Sequence, residues 1–413
     1  MTSAGRDIIA GLDLGTTKVC VVVGERSDEG IDVIGIGTVP SKGLRKGVVV
    51  NIEATVQAIR GAIEQAENMA GVQIGTVFAG IGGSHVRGMN QQGVAAIASR
   101  EVCADDVERV LEQAKAFPLP ADRQVIHVLP QEYVVDDQDG IKEPIGMSGV
   151  RLQARVHVVT AAVPPIQNII KCAERCQLHV AEVVLQPLAS AYAVLSDDER
   201  EIGVALVDVG GGTSDVIVYV NGAVVHTSVV PIGGLNFTND VATGLRTPVA
   251  EAERIKVRFG CASTRMVEPD ERIEVPSVGG RPPRQLPRQV LSEIIQPRAE
   301  ELLGAVGHVL SETGFAEMLG AGVVLTGGTT LLEGTEQLAE EVLGMPVRRG
   351  LPSGVGGLVD VVRSPAYATA VGLVKYGAER LAARAAASEP PPVHTEIRPR
   401  LGTRLGRWLR DVF

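Results

Sequence analysis

The chain has 413 residues, 45% of them apolar, a formal net charge of −10 and five cysteines. That length exceeds what one hydrophobic core supports, so roughly two to four compact units are expected, and the apolar content excludes disorder of the whole. The acidic balance argues against a nucleic-acid partner, and five scattered cysteines (Cys20, Cys103, Cys172, Cys176, Cys261) suit a reducing compartment rather than a disulfide framework.

The N-terminus has no basic region followed by an apolar run, because Asp7 and Asp13 interrupt IIAGLDLG. No stretch approaches the ~20 apolar residues of a spanning helix, so the body is expected in the cytosol. Residues 8–24, IIAGLDLGTTKVCVVVG, read as a buried strand, a turn of the form Asp-x-Gly-x-Thr and a second strand. Residues 52–70 place Ile52, Val56, Ile59, Ile63 and Ala66 on one helical face. AGIGGSHV, at 79–86, fits neither the Walker A nor the dinucleotide spacing and reads as a strand end with a tight turn. Residues 84–162 hold the helical ADDVERVLEQAKAF among β-rich runs such as RQVIHVLPQEYVVD, enough for a small α+β subdomain. Cys172 and Cys176 lie four apart in a helical stretch without a second ligand pair, which reads as ordinary helix positions rather than a metal site.

Residues 203–222, GVALVDVGGGTSDVIVYVNG, repeat the design of 8–24, with Asp13 and Asp208 in the same place. A repeat at that distance is too long for a solenoid and suggests two related domains, each offering a hairpin to a common cleft. Residues 233–300 hold a helical region and the polar, Pro-rich VEPDERIEVPSVGGRPPRQLPR, expected as a mobile or strand-bounded loop. AGVVLTGGTTLLEG, at 321–334, reads as a strand, a Gly-Gly turn and a helix start. After a last helical stretch, SEPPPVHTEIRPR has the composition of an extended tether.

Each hairpin makes physical sense as a phosphate clamp. Gly15 and Gly210 to Gly212 allow backbone N–H groups close to an anion, while Thr16, Thr17, Thr213 and Ser214 add hydroxyl donors. Asp13 and Asp208 would repel phosphate; their natural role is to hold Mg²⁺ through its waters, and Lys18 adds a point charge.

These residues carry a resemblance. The paired hairpins with VVLTGG resemble the nucleotide signature of the actin, Hsp70 and sugar kinase superfamily. Within it, GLDLGTTKV, SKGLRKGVVVNIEATVQAIRGAIEQAE, GIGGSHVRGMNQQG, LQPLASAYAVL, VDVGGGTSDV, PIGGLNFTNDVA and AERIKVRFG are similar to the FtsA family of bacterial division proteins, almost from end to end. The resemblance implies an α/β, actin-like ATPase fold of two related halves around a nucleotide cleft. One large subdomain would comprise 1–83, 163–196 and 363–386, the other 197–232 and 301–362. The family's own α+β insert would be 84–162, a smaller subdomain 233–300, a flexible linker 387–399, and a terminal helix 400–413. It further implies ATP and Mg as ligands, self-assembly into filaments, the C-terminal peptide of the tubulin-like GTPase FtsZ docked on 233–300, other division proteins received by 84–162, and residence on the inner face of the membrane. Asp13, Gly15, Thr16, Thr17 and Lys18 would form the first phosphate loop and Asp208, Gly210, Gly211, Gly212 and Thr213 the second. Gly327 and Gly328 would approach the α-phosphate and adenosine, and Glu253 with Lys256 would turn towards the ribose or adenine. Gln186 stands where Glu is expected in many relatives. Gln can orient a water but is a poor base, and no better base is visible beside the hairpins, so slow or no hydrolysis is expected. A small-molecule kinase and a pilus assembly adaptor of the same superfamily remain as alternatives.

The chain ends in LGTRLGRWLRDVF, with its one Trp. At ~100° per residue, Leu401, Leu405, Trp408, Leu409, Val412 and Phe413 share about 140° of one helix face, with Arg400, Arg404, Arg407 and Arg410 opposite. Such a helix is roughly 20 Å long, too short to span a bilayer, but its two faces suit the surface of anionic lipid. Docking on its own body or in a partner's groove would use the same apolar face, against which the Pro-rich tether argues.

Overall fold

The computed structural model describes residues 7–27, 30–279 and 281–386. Residues up to Gly377 form one compact unit, and those from Ala378 belong to a second, described only to the end of the last helix, Ala368–Ala386.

Two sheets repeat one topology. In the first, Asp7–Leu14, Lys18–Ser27 and Gly30–Pro40 form an antiparallel meander; Thr76–Ile81 and then His179–Leu185 add in parallel beside Asp7–Leu14. In the other, Val204–Val209, Ser214–Val220 and Ala223–Val230 form the meander, and Val323–Thr326 then Val347–Arg349 add in parallel beside Val204–Val209. Central strands covered on both faces read as continuous apolar runs rather than alternations. Val19, Cys20, Val21, Val22 and Val23 accordingly expose nothing, nor do Val204, Ala205, Leu206 and Val207. The two related halves expected from the repeat are therefore present as matching sheets.

Helix Ile52–Ala70 covers the first meander. Asn51 caps it by accepting from Ala54 N at 3.0 Å, and it stops at Gly71, φ 67°. Val56, Ile59, Ile63 and Ala66 are buried as the periodicity predicts, joined by Thr55, Ala58 and Ala62, while Ile52 is half-buried. A separate antiparallel sheet runs in the order Val86–Ala96, Arg151–Ala162, Arg123–Val135, Gln138–Ile141, with helix Ala104–Lys115 packed on it. It has its own core of Val110, Leu152, Ala154, Val156 and Val158. Beyond the second meander come helices Gly234–Leu245, Val249–Phe259 and Arg288–Glu312. The Pro-rich stretch read as a loop is strand-bounded, since Arg272–Val275 pairs with Arg284–Pro287. All five cysteines are free; Cys172 is buried in helix Val163–Glu174 and Cys176 falls just past its end. No helix among the described residues is long and apolar enough to cross a membrane.

The helix that carries Gln186, Gln186–Val194, meets the last helix at Gly372, where a Cβ would stand 1.7 Å from the Ala189 carbonyl oxygen. Ala is the better helix former by ~1 kcal/mol, but a backbone oxygen cannot swing aside and overpacking costs ~1–3 kcal/mol or more. Gly372→Ala is therefore expected to lower the thermal midpoint; a raised midpoint would show that the two helices part without cost.

Candidate functional site

The two hairpin turns are built alike. Gly15 N donates to Lys18 O at 3.0 Å, and Gly210 N to Thr213 O at 3.0 Å. Behind the second turn, helix Gly234–Leu245 begins: Gly234 N donates to Gly210 O at 2.9 Å and Leu235 N to Gly211 O at 2.8 Å, while Thr329 Oγ1 donates to Gly210 O at 3.0 Å. With Gly210 N already bonded to Thr213 O, the N–H groups of Gly211, Gly212 and Thr213 make no backbone bond and are the ones left to an anion.

Between the turns lies a cavity of about 350 Å³. Asp13, Gly15, Thr16, Thr17, Lys18, Gln186, Asp208, Gly210, Gly211, Gly212, Thr213, Glu253, Lys256, Gly327 and Gly328 all line it, so residues spread over more than three quarters of the sequence meet at one place. Sequence reasoning missed its apolar wall, which includes Phe237, Val257, Leu331, Leu332 and Ala366. Val257 and Leu331 are 74% and 52% exposed, apolar surface that a planar ring could cover.

It also missed Asp215, and this corrects the expectation that no base lies beside the hairpins. Asp215 faces Asp208 across the second hairpin, is 6% exposed and lines the cavity. Burial, and then the charge of Asp208, push its carboxyl up to about 7; Gly83 N donates to it, and its Oδ1 has no partner. Asp13 is pushed up to about 6, chiefly by burial, against the opposing pull of Lys18. Asp208 is raised too, again mainly by burial, while Ser190 Oγ at 2.6 Å and Thr369 Oγ1 at 3.1 Å donate to its Oδ2. Gln186 Nε2 donates to Asp13 Oδ1 at 3.0 Å, which fixes the amide beside the carboxylate. Lys18 Nζ is buried without a hydrogen-bond acceptor and lies 4.5 Å from the centre of the Tyr367 ring. Around the two turns three buried carboxylates stand against the ammonium of Lys18, because the other buried lysine of the cavity, Lys256, is paired with Glu253, so this part of the site is short of positive charge. Among the described residues, no three His, Cys, Asp or Glu side chains are grouped so that they could hold a metal ion.

Two further expectations change in detail. Glu253 and Lys256 both border the cavity, yet Lys256 Nζ already donates to Gly234 O at 3.0 Å and Thr238 Oγ1 at 2.9 Å and pairs with Glu253 at 2.8 Å. An ammonium has only three donors. With all three engaged, Lys256 braces helix Val249–Phe259 against the start of Gly234–Leu245 while it lines the cavity. At Gly327, φ 89°, a Cβ would fall 2.4 Å from Asp208 Oδ1 and 2.5 Å from Val209 O, so a side chain there would collide with the carboxylate and the backbone beside it. The amphipathic segment with Leu401, Arg404, Leu405, Arg407, Trp408, Leu409, Arg410, Val412 and Phe413 lies outside the described residues.

The family profile of cell division protein FtsA matches residues 205–372, and that of the SHS2 domain inserted in FtsA matches 83–160. Cell division protein FtsA of Pseudomonas aeruginosa is 51% identical over 98% of both chains. That of Neisseria meningitidis serogroup B is 45% identical over 98% of both, and that of Escherichia coli K12 44% over 99% of both. Among solved structures, a PilM–PilN type IV pilus biogenesis complex aligns with a TM-score of 0.66 at 16% identity, covering 90% of this chain and 99% of that one. MreB5 of Spiroplasma citri bound to ADP aligns with a TM-score of 0.55 at 14% identity, covering 92% and 98%. With the matching halves and the cavity between them, these likenesses give the chain the actin-like ATPase fold, and it belongs to the FtsA family of cell division proteins.

Proposed function

We propose that this chain binds Mg·ATP between its two hairpin turns, assembles into actin-like filaments and ties the FtsZ ring to the cytoplasmic face of the cell membrane. The observation that carries the reading is the cavity itself, with two identically built glycine turns, three buried carboxylates and an apolar wall around one space. MreB5, which shares the fold, was solved with ADP and with AMPPNP. Membership of the FtsA family sets aside the small-molecule kinase and the pilus adaptor.

In this reading Mg²⁺ would neutralise phosphate oxygens, and Asp13 and Asp208 would hold it through its waters. Gly15, Thr16, Thr17 and Gly210 to Thr213 bind phosphate through N–H and hydroxyl donors, and Lys18 adds its charge. Glu253 and the wall formed by Val257, Leu331 and Ala366 border the ribose and base. Gln186 orients a water, and Asp215, near its midpoint at neutral pH, can hold or take a proton at Oδ1. FtsZ would dock through 233–300. There Arg254, Arg265, Arg284 and Arg288 already have partners in Glu251, Glu341, Leu245 O and the Glu271–Glu333 pair, so an acidic peptide must compete for them. Other division proteins would meet residues 84–162.

Residues 400–413 would lie on anionic lipid. Six apolar side chains, half buried at ~1.5–3 kcal/mol each when fully buried, give about 5–9 kcal/mol before the helix is ordered. One tail is a weak anchor, whereas a filament's many tails gain a factor of ~100 or more in avidity.

Calorimetry tests the site. Asp208→Ala should remove most Mg-dependent ATP affinity; undiminished binding would sink the assignment. Affinity for Mg·ATP should also weaken as pH falls from 8 to 6, because protons on Asp215 and Asp13 compete with the cation. A flat profile would count against the carboxylates.

The same groups shape the unliganded protein. A carboxyl raised by burial stabilises the fold most below its unfolded value, near 3.8, and that contribution is lost as pH rises through about 7. Asp215→Asn should thus raise the nucleotide-free thermal midpoint by on the order of 2–4 °C or more at pH 8, and by less at pH 5.

Liposome pelleting tests the tail. Deleting residues 399–413 should leave ATP binding intact and abolish recruitment, and Trp408→Glu should do nearly the same. A tail-less protein that still pellets would overturn the membrane reading.

A further inference from the structure

The motif SKGLRKG acquires a place in the structure. Leu44–Arg45 pairs with Val48–Val49, and the two residues between them, Lys46 (φ 49°) and Gly47 (φ 77°), both have left-handed backbone. A two-residue turn with positive φ at both positions favours Asn, Asp or Gly first, because a Cβ resists that conformation and a short polar side chain can compensate. Lysine brings no such compensation, so the turn itself gives no reason for lysine at this position.

The turn stands at the polar end of the cavity, wedged between the halves. Gly47 lines the cavity, with its N–H 3.4 Å from Thr16 Oγ1. A Cβ at Gly47 would fall 2.5 Å from Gly82 O, and one at Gly212 would fall 3.2 Å from Lys46 Cα. Gly82 in turn adjoins Gln186 and Asp215, which line the cavity. The α-carbon of Lys46 is thus packed on the second glycine turn, while its side chain is exposed and Nζ stands 3.5 Å from Pro231 O in the other half. That is the outer limit of a hydrogen bond, given up at little cost. Lys18 differs, being buried beside Asp13 and under the ring of Tyr367 whatever the ligand.

We propose that Lys46 is the sensor of the terminal phosphate: its ammonium moves from Pro231 O to the γ-phosphate of ATP, a group that ADP lacks. The inference rests on the reading that a nucleotide occupies the cavity. The bond given up is long and neutral at its acceptor, and the one gained is a charge-assisted pair in a site short of positive charge. The hairpin then tells triphosphate from diphosphate, and it holds the halves in a different relation in each.

The test is calorimetric titration of the full chain with Mg·ATP and with Mg·ADP, for wild type, Lys46→Asn, Lys46→Arg and Lys42→Gln. Asn suits the turn and removes only the ammonium, so Lys46→Asn should melt at or above the wild-type midpoint without nucleotide. It should bind Mg·ADP within about twofold of wild type and Mg·ATP about tenfold more weakly, while Lys46→Arg keeps most of the discrimination and Lys42→Gln all of it. An unchanged ratio of ATP to ADP affinity in Lys46→Asn overturns the proposal alone, as do equal losses for both nucleotides or an equal loss in Lys42→Gln. Wild-type protein that binds neither nucleotide overturns the nucleotide reading and the sensor with it.

Discussion

Asp208 ends a strand in one half of the molecule, and both hydroxyls that hold its Oδ2 come from helices of the other, Ser190 from Gln186–Val194 and Thr369 from the last helix. The rest of the site depends on this crossing. A buried carboxylate stripped of its donors loses on the order of 1–3 kcal/mol for each, and more when charged, so the halves cannot part freely at this point. Gln186 makes a second tie nearby through Asp13, within its own half, so the same short helix positions a carboxylate from each sheet. The bonds to Asp208 join the two halves directly at the cavity. Charge crowding works in the opposite sense. Asp13, Asp208 and Asp215 lie close enough for Asp208 to raise both of the others, so the same place is electrostatically strained whenever all three are ionised. A cation among them relieves that strain without breaking the hydroxyl bonds.

Much of this was legible because it is local. A strand buried on both faces, an Asp-x-Gly-x-Thr turn and another such strand can be read from a dozen consecutive residues, and reading it twice gives the two halves. What escaped depends on pairing register or on distant partners. Asp215 stands in VDVGGGTSDV, but only counting outward from the turn places it opposite Asp208; the matching position in the first hairpin is Cys20, opposite Asp13. The duplication also runs further than it was read. Gly82 and Gly83 follow Thr76–Ile81 as Gly327 and Gly328 follow Val323–Thr326, in strands that hold equivalent places in the two sheets. AGIGGSHV is thus the structural partner of LTGGTT, with Gly82 set against Gln186 and Asp215 where Gly327 is set against Asp208. Lys256 could be located from its resemblance, but the direction of its ammonium is decided by Gly234 and Thr238, a helix away.

The inserted sheet is tied to both halves by neutral side-chain bonds, and to the second half also by the exposed ion pair of Lys142 with Glu201 at 2.7 Å, and this bears on how movement at the cleft could reach a partner. On the first half, His127 Nε2 accepts from Leu185 N at 3.0 Å, one residue before Gln186. On the second, Asn90 Nδ2 donates to Val225 O at 3.1 Å, Gln131 Nε2 to Val224 O at 2.9 Å, and His157 Nε2 meets Thr227 Oγ1 at 2.9 Å. Burial, and then His226, lower His157 to about 4, so its ring is neutral at any physiological pH and the contact does not switch with acidity. These are single neutral side-chain bonds to an edge strand, each worth ~0.5–1.5 kcal/mol, across a junction with no continuous sheet. Such a junction holds an orientation yet yields to a force of a few kcal/mol, which is the range over which a nucleotide or a bound partner can shift an equilibrium. A rotation of one half against the other would therefore load both the bonds to Asp208 and the bonds of this junction. The inserted sheet packs on both halves, and its bond to Leu185 sits one residue from the amide that holds Asp13.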